Sequence, residues 1–277
     1  MTCPVIQSDT MDGLLGSVIS LAEHAGDMIL SESPVISTYK GSKENYATEA
    51  DEKIQDYLKK ELLALLPGSV FMGEEKHDLS KGDTVWIVDP IDGTVNYARS
   101  LSMSVVSIAL VKDSESVVGV VHNPYLKQTF HALKGKGSFL NGKRLHVSDR
   151  KREDAMVSTA WCAYDKDLAP PSVRISERLH RECSDIRRFG TAAYEMCLLA
   201  KGSLEIYFEM LLRPWDYAAA SLIVEEAGGV CSSIDGPLDP FDQCAVLAAN
   251  SKENLDYLKS VIREEGSVTK DGSIWRD

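Results

Sequence analysis

Apolar positions in the first quarter of the chain recur with the period of an α-helix. Between Asp12 and Ser31 they fall at i, i+3 and i+4 spacing, which predicts an amphipathic helix. A second helix is predicted from Glu49 to Leu66, because Pro67 and Gly68 follow it directly. Each helix presents one apolar face, so the rest of the chain must supply the surface that covers it.

The middle of the chain changes to short apolar runs that are separated by turn residues. Strands are predicted over residues 69–73, 83–88, 103–112, 117–122 and 128–133, with a hairpin turn at Asn141-Gly142. Evenly spaced strands with short turns are typical of a meander. The pattern therefore indicates an antiparallel sheet in this part of the protein.

After residue 150, predicted strands and helices alternate. The strands lie near residues 155–159, 204–208, 230–233 and 245–248, and the helices near 172–181, 191–200, 215–227 and 253–264. Such alternation favours a layered α/β arrangement. The charged stretch Ser148–Asp154 separates the two patterns. We therefore predict an α+β domain over residues 1–150 and an α/β domain over residues 151–277.

Composition restricts the possible partners. The 277 residues carry a formal net charge of −12, which disfavours binding to nucleic acid or to a membrane surface. The amino terminus lacks the features of a signal peptide, and the six cysteines show no metal-binding spacing. We expect a soluble cytoplasmic protein with reduced cysteines. An acidic protein can still bind an anionic substrate when divalent cations reverse the local field.

The most informative segment is Trp86–Thr94, where an apolar run ends in two aspartates. Asp89 and Asp92 lie three residues apart, and Gly93-Thr94 follows at the start of a possible helix. Carboxylate oxygens are the ligands that Mg²⁺ prefers, whereas the N–H groups at a helix start suit phosphate. One short segment could therefore bring a metal ion and a phosphate ester together, as metal-assisted phosphoryl hydrolysis requires.

Further acidic residues fall at predicted strand ends or helix starts, namely Asp51, Glu74, Glu75, Glu209 and Asp216. Each also has a plain structural interpretation. Asp51 and Asp216 are suited to capping helices, Glu74-Glu75 to a solvated turn, and Glu209 to an exposed strand end. Their shared chemistry and shared position favour a common site, because α/β proteins assemble sites at such ends.

Two long motifs give the chain a family resemblance. Trp86–Tyr97 and Trp215–Gly229 resemble the two signatures of the inositol monophosphatase family, and Gly73–Glu75 and Gly190–Ala193 fall where that family has similar sequences. The resemblance spans residues 12 to 265. It implies a layered αβαβα sandwich of mixed α/β class. It also implies a homodimeric phosphatase that depends on Mg²⁺, is inhibited by Li⁺ and acts most directly on inositol 1-phosphate.

The resemblance also implies residue roles. A first Mg²⁺ is bound by Glu74, Asp89 and the carbonyl of Ile91, a second by Asp89, Asp92 and Asp216, and a third ion sits weakly near Glu74. Glu74 and Thr94 orient the attacking water, with Asp51 behind the hydroxyl of Thr94. Gly93 and Thr94 bind the phosphate. The substrate hydroxyl groups are contacted by Asp92, Gly190, Thr191, Ala192, Glu209 and Asp216.

Several alternatives remain open at this stage. Arg187 and Arg188 suit either a second phosphate, as in fructose 1,6-bisphosphate, or a solvated strand end. Other sugar or nucleotide phosphatases of the superfamily are possible, as is a noncatalytic regulatory protein that keeps the fold. Asn45 stands where the family often has Asp, and Lys40 falls at a position that lies near the third ion in relatives. The replacement bears on the geometry of the third ion and not on the two principal ions.

Overall fold

Helices and sheets alternate in five layers, in the order αβαβα, which confirms the predicted fold class. The computed structural model describes residues 11–42, 45–75, 82–162 and 165–265, and the side chains of residues 37–46 lie outside that description. The helices of the described ranges are α1 Met11–Ser31, α2 Glu49–Leu65, α3 Thr94–Ala98, α4 Ala169–Glu182, α5 Ala192–Ala200, α6 Pro214–Glu226 and α7 Lys252–Glu265.

A seven-stranded sheet forms the first β layer. Its strands lie side by side in chain order: β3 Val70–Gly73, β4 Thr84–Asp92, β5 Val105–Lys112, β6 Glu115–Asn123, β7 Gln128–Leu133, β8 Gly137–Leu140 and β9 Lys143–Arg144. All neighbours are antiparallel except β3 and β4, so the predicted meander is confirmed. Helices α1 and α2 cover one face, where Val18 and Ile54 belong to the same apolar cluster as Trp86.

A five-stranded sheet forms the second β layer. It contains β10 Met156–Thr159, β11 Asp185–Arg187, β12 Ile206–Leu212, β13 Val230–Ser232 and β14 Cys244–Ala249, in the order β11-β10-β12-β14-β13. Helices α4 and α7 cover its outer face. Helices α5 and α6 pack in a single apolar cluster with residues of both sheets, such as Val121 and Val246. Because α6 is buried from Pro214 to Val224, it needs no polar face.

The structure differs from the predicted elements at three informative places. Strand β4 continues to Asp92, although its prediction stopped at Val88, and its pairing with β5 is irregular between Asp89 and Asp92. The hairpin of β1 Ile36–Ser42 and β2 Asn45–Thr48 was not predicted, and neither was the short strand β11. Their sequences lack the apolar alternation of a half-buried strand, and β11 has only three residues.

The two sheets are formed by different halves of the chain. The first ends at Arg144 and the second begins at Met156, close to the predicted boundary. Since the middle apolar cluster contains side chains from both halves, each half buries part of its surface on the other. The division into two domains stays a prediction. Within the described ranges, no helix combines the length and the apolar character needed to cross a membrane.

Candidate active site

A cavity of about 610 Å³ opens at the ends of strands from both sheets. It brings together most of the residues singled out in the sequence, and among its lining residues are Glu74, Asp89, Ile91, Asp92, Gly93, Thr94, Gly190, Thr191, Ala192, Glu209 and Asp216. Asp51 lies behind this wall and is fully buried. Lys40 and Asn45 were expected near a third ion, but their side chains are not among those that the structure describes.

The irregular end of β4 places two aspartates in the cavity wall, each with different hydrogen-bond partners. The backbone N–H of Ile91 donates to Asp89 Oδ1 at 2.9 Å, which fixes the carboxylate over its own turn. Asp92 Oδ2 accepts hydrogen bonds from the Thr191 hydroxyl at 2.6 Å and from the N–H of Ala193 at 2.8 Å. Asp92 therefore satisfies the first turn of α5 and joins the two halves of the molecule through one carboxylate.

Gly93 follows Asp92 where the chain turns into α3. Its φ is +90°, a left-handed conformation that costs side-chain-bearing residues energy. A Cβ at this position would lie 3.1 Å from the carbonyl oxygen of Met103 and 3.2 Å from that of Gly190. The backbone of the first sheet therefore approaches the loop of the second sheet closely enough that only glycine fits without a shift.

Gly93→Ala is expected to destabilise the protein more than Gly68→Ala does. Gly68 has nearly the same φ, +89°, but a Cβ there would meet nothing within 4 Å. Both variants carry backbone strain of about 1 kcal/mol, and the close contacts at Gly93 add about 1–3 kcal/mol. Urea unfolding monitored by circular dichroism measures the difference. Equal losses in the two variants would contradict the close approach at Gly93.

Thr94 and Asp51 connect α3 to α2. Thr94 Oγ1 lies 3.2 Å from Asp51 Oδ1 and 3.0 Å from the carbonyl oxygen of Ile91, and it can donate to either acceptor. The other oxygen of Asp51 accepts the N–H of Thr48 at 2.8 Å and the hydroxyl of Thr48. Asp51 thus caps α2, as its plain interpretation proposed, and also contacts the hydroxyl of Thr94.

Glu74 is placed by a side chain that the sequence did not single out. Gln55, buried on α2, accepts from the N–H of Glu75 at 2.7 Å and donates to the carbonyl of Glu75 at 2.7 Å. These two bonds hold the chain just after β3, so that Glu74 faces the cavity. Glu75 is itself buried, and the solvated-turn interpretation is wrong for it. The sequence did contain one sign of this role, because Gln55 is a polar residue directly beside Ile54 on the apolar face of the predicted helix.

The second half contributes Glu209 and Asp216. Asp216 Oδ2 accepts the N–H of Arg213 at 2.7 Å and so caps α6. The hydroxyl of Tyr207 donates to Glu209 Oε2 at 3.0 Å. Glu209 is only 7% exposed, and β12 runs on to Leu212, so the interpretation of Glu209 as an exposed strand end is wrong.

The two neighbouring arginines have different environments. Arg187 pairs with Asp185 at 2.5 Å and faces solvent, as the interpretation of a solvated strand end proposed. Arg188 lines the cavity, and its guanidinium lies 5.6 Å from the ring centre of Trp161. Arg188 therefore adds a positive charge to the cavity that also contains the carboxylates.

Burial and the charges of neighbouring carboxylates raise the pKa values of four acidic side chains in the cavity, Asp89, Asp92, Glu209 and Asp216. Burial raises the pKa of Asp89 and of Asp216 well above the usual range, and nearby carboxylates raise both further. Burial, opposed by the bonds from Thr191 and Ala193, raises the pKa of Asp92 to about 7. Burial and the neighbouring Glu195 raise the pKa of Glu209 to about 8.

This electrostatic arrangement fits bound divalent cations. Clustered buried carboxylates cost free energy unless positive charge compensates them, and oxygen-only ligands suit Mg²⁺. Within residues 11–42, 45–75, 82–162 and 165–265, no three acidic, histidine or cysteine side chains form a ready-made metal-ligand group. The carboxylates therefore share one cavity and act on one another's pKa, without forming a complete ligand group in advance among the described residues.

Known proteins resemble this chain over most of its length. The sequence model of the inositol monophosphatase family matches residues 12–267. An inositol-1-monophosphatase of Mesorhizobium japonicum is 33% identical over 78% of this chain and 83% of its own. The Nus factor SuhB of Escherichia coli K12 is 34% identical over 82% of this chain and 87% of its own. The solved structure of a Thermotoga maritima IMPase superposes with a TM-score of 0.83, at 29% identity, over 94% of this chain and 99% of that one.

Proposed function

The chain belongs to the inositol monophosphatase family, and we propose from this premise that it is a Mg²⁺-dependent phosphate monoester hydrolase acting on inositol 1-phosphate. The observation that carries the proposal is the buried group of carboxylates from both halves of the chain in one cavity. A protein that only needed the fold would gain stability by replacing these charges. Their presence therefore supports catalysis.

The residues around β4 would hold the metal ions. Glu74, Asp89 and the carbonyl of Ile91 suit a first Mg²⁺, and Asp89, Asp92 and Asp216 a second. The family resemblance adds a weaker third ion near Glu74. When bound, the ions would lower the pKa of a coordinated water and stabilise negative charge on the leaving oxygen. Li⁺ inhibition follows from the family resemblance and belongs to the same proposal.

Thr94, Asp51 and Glu74 would orient the attacking water. When the hydroxyl of Thr94 donates its hydrogen to Asp51, its lone pairs are free to accept a hydrogen from water in the cavity. Glu74, which also lines the cavity, would accept the second hydrogen. Positioning of this kind raises the rate because the water no longer has to be aligned by chance.

The substrate would span both walls of the cavity. The backbone of Gly93 and Thr94 would bind the phosphate, since the first N–H groups of α3 have no partner within the helix. The hydroxyl groups of the alcohol would contact Asp92, Asp216, Glu209 and the loop from Gly190 to Ala192. Glu209, whose carboxylate accepts the Tyr207 hydroxyl, suits a hydroxyl-rich alcohol rather than an apolar one.

Phosphate release from inositol 1-phosphate tests this function. We expect hydrolysis in the presence of Mg²⁺, loss of the activity on addition of EDTA, recovery with excess Mg²⁺ and inhibition by Li⁺. Fructose 1,6-bisphosphate, glycerol 2-phosphate, NADP and phosphoadenosine phosphate form the comparison panel, and we expect lower kcat/KM for each. A rate that does not depend on metal, or no rate with any of these substrates, would contradict the proposal.

A noncatalytic regulatory role is the second candidate, because one of the similar proteins is named a Nus factor. Such a role would use the outer surface of the fold and would not require phosphatase activity. We propose a cytoplasmic protein that forms a homodimer, as the family resemblance implies. Its net charge of −12 disfavours direct binding to membranes or nucleic acid. Cosedimentation with RNA at low salt distinguishes the phosphatase from the regulatory protein. Binding of this protein to RNA in that experiment would support the regulatory role.

A further inference from the structure

Glu195 is a buried carboxylate at the back of the cavity wall that has no part in the proposed chemistry. It lies on α5, a helix that is otherwise apolar from Ala192 to Ala200 apart from Tyr194, and it is only 1% exposed. Burying a charge in such a helix is unfavourable unless hydrogen bonds compensate it. Glu195 was not singled out in the sequence, although a single charge within an apolar helix is a visible signal.

Four donors converge on this carboxylate. Oε1 accepts the backbone N–H groups of Phe189 at 3.1 Å, Gly190 at 2.8 Å and Thr191 at 3.3 Å. Oε2 accepts the hydroxyl of Ser158 on β10. The three consecutive N–H groups belong to the loop that joins β11 to α5 and lines the cavity. Glu195 therefore determines the path of the loop backbone rather than the position of one side chain.

The same loop is held from its other side by the first half of the chain. Asn96 on α3 donates from Nδ2 to the carbonyl oxygen of Phe189 at 2.7 Å. Gly190 lies between Glu195 and Asn96 and has a φ of +78°. A Cβ at Gly190 would lie 3.3 Å from the side chain of Asn96. The turn delivers the hydroxyl of Thr191 to Asp92. The loop is thus fixed between Glu195 behind it and Asn96 beside it.

We propose that Glu195 is a positioning residue that selects the substrate by fixing the Phe189–Thr191 loop against the alcohol half of a hydroxyl-rich phosphate ester. The inference rests on the proposed function, and it assigns substrate selection to a residue that does not itself touch substrate. Without the carboxylate, three N–H groups lose their acceptor and the loop adopts several conformations. The wall that contacts the alcohol then loses its shape. Asp92 loses the hydroxyl of Thr191 but keeps the N–H of Ala193 on α5, and Asp89 and Thr94 keep bonds that do not involve the loop.

Glutamine is expected to preserve this function. Its carbonyl oxygen can accept the same three N–H groups, and its amide can donate to Ser158. The hydroxyl of Ser158 also lies 3.3 Å from the carbonyl oxygen of Arg187, so it can turn its hydrogen to that acceptor. Glu195→Gln is therefore the conservative variant, whereas Glu195→Ala removes the acceptor and Glu195→Asp draws it back by one methylene group.

Glu205 offers a matched control elsewhere in the same half. It is also 1% exposed, and it accepts the N–H of Met156 at 2.7 Å, the hydroxyl of Ser148 at 2.8 Å and the guanidinium of Arg150 at 2.7 Å. It does not line the cavity. Glu205→Ala therefore removes a comparable buried carboxylate with no effect on the loop.

The test compares inositol 1-phosphate with phenyl phosphate, whose leaving group has no free hydroxyl, in the full-length Mg²⁺-loaded protein. For Glu195→Ala we expect KM for inositol 1-phosphate to rise about tenfold or more, with phenyl phosphate changed less than about threefold. Glu195→Gln should stay within about twofold for both substrates. Glu205→Ala should change the two substrates alike. An unchanged ratio of kcat/KM between the substrates in Glu195→Ala would overturn the proposal.

Amide hydrogen exchange separates this proposal from the proposed function. In Glu195→Ala, or in Glu195→Asp if the alanine variant does not fold, the amides of residues 189–191 should exchange at least about tenfold faster than in the wild type. Glu205→Ala should leave them unchanged. If the wild type hydrolyses neither substrate, the proposed function fails, but the exchange rates still show whether Glu195 fixes the Phe189–Thr191 loop. Unaltered exchange in Glu195→Ala and in Glu195→Asp would refute that role of Glu195.

Discussion

Asp92→Asn is expected to lower kcat/KM for inositol 1-phosphate by at least about a hundredfold while the fold stays intact. The substitution removes the negative charge proposed to bind the second Mg²⁺. It keeps an oxygen that can still accept from the Thr191 hydroxyl and the N–H of Ala193. The contact between the two halves of the chain is therefore preserved. Steady-state kinetics with saturating Mg²⁺, together with circular dichroism, give the measurement.

Asp185→Asn is the matched control for that experiment. Asp185 is a surface carboxylate on β11, an edge strand of the five-stranded sheet, where it pairs with Arg187, and it does not line the cavity. Its substitution should leave kcat/KM within about twofold of the wild type, because exposed ion pairs contribute little. Full activity in Asp92→Asn would refute the assignment of Asp92 as a metal ligand.

Chelator-treated protein is expected to lose stability as the pH rises from about 5 to 8. The folded-state pKa values of Asp92, about 7, and Glu209, about 8, lie above the ordinary values of 3.8 and 4.5. Between those limits the folded state binds more protons than the unfolded state, so the free energy of unfolding falls with increasing pH. Asp89 and Asp216 act in the same direction. Thermal melts of the chelator-treated protein at fixed ionic strength measure how its Tm changes with pH.

Mg²⁺ should reverse this loss at pH 8. A ligand that binds only the folded protein at about a hundred times its Kd stabilises it by about 2.7 kcal/mol, which corresponds to a rise in Tm of about 5–10 °C. Glu209→Gln should flatten the upper part of the pH slope in the chelated protein and keep the Mg²⁺ effect. A Tm that rises from pH 5 to 8 with EDTA present would contradict the electrostatic account.

Surface carboxylates do not obscure that result. Hydrogen bonds and charges from arginines lower the pKa values of the exposed residues Asp185 and Glu182. Their stabilisation is present above the unfolded-state pKa and is lost as the pH falls below about 4.5. The two groups of carboxylates therefore act in separate pH ranges. Among the buried charges that lower stability near neutral pH, Asp89, Asp92 and Asp216 are proposed to bind metal and Glu209 to contact substrate, a common conflict between stability and activity.

The longest helices and most strands of the seven-stranded sheet could be predicted from the sequence, because the apolar patterns that mark them are local. Helix α1 was expected from Asp12 to Ser31 and runs from Met11 to Ser31, since its buried positions repeat with the helical period. Strand β7 was predicted at its observed bounds. Strands β1 and β2 pair antiparallel although no such pattern marks them, and β12 continues past its predicted end because the packing of α5 and α7 buries it.

The candidate site was predictable in its acidic residues but not in its supports. The spacing of Asp89, Asp92, Gly93 and Thr94 is local, and their chemistry could be inferred from that segment alone. Gln55, Asn96 and Glu195 act through bonds to backbone groups, and Asn96 reaches a carbonyl 93 residues away. Backbone groups have the same chemistry at every residue, so no sequence motif records which side chain will reach them.

By itself, the sequence determined which segments have an apolar face and where carboxylates end an apolar run, because both depend on neighbours within one or two turns. The tertiary structure decided which of those carboxylates share a cavity. It also decided that Arg188 lines that cavity while Arg187 pairs at the surface, and that Asp92 bonds to Thr191 across 99 residues of chain. Such contacts depend on how the two sheets pack around α5 and α6, and that packing is a collective result of the whole core.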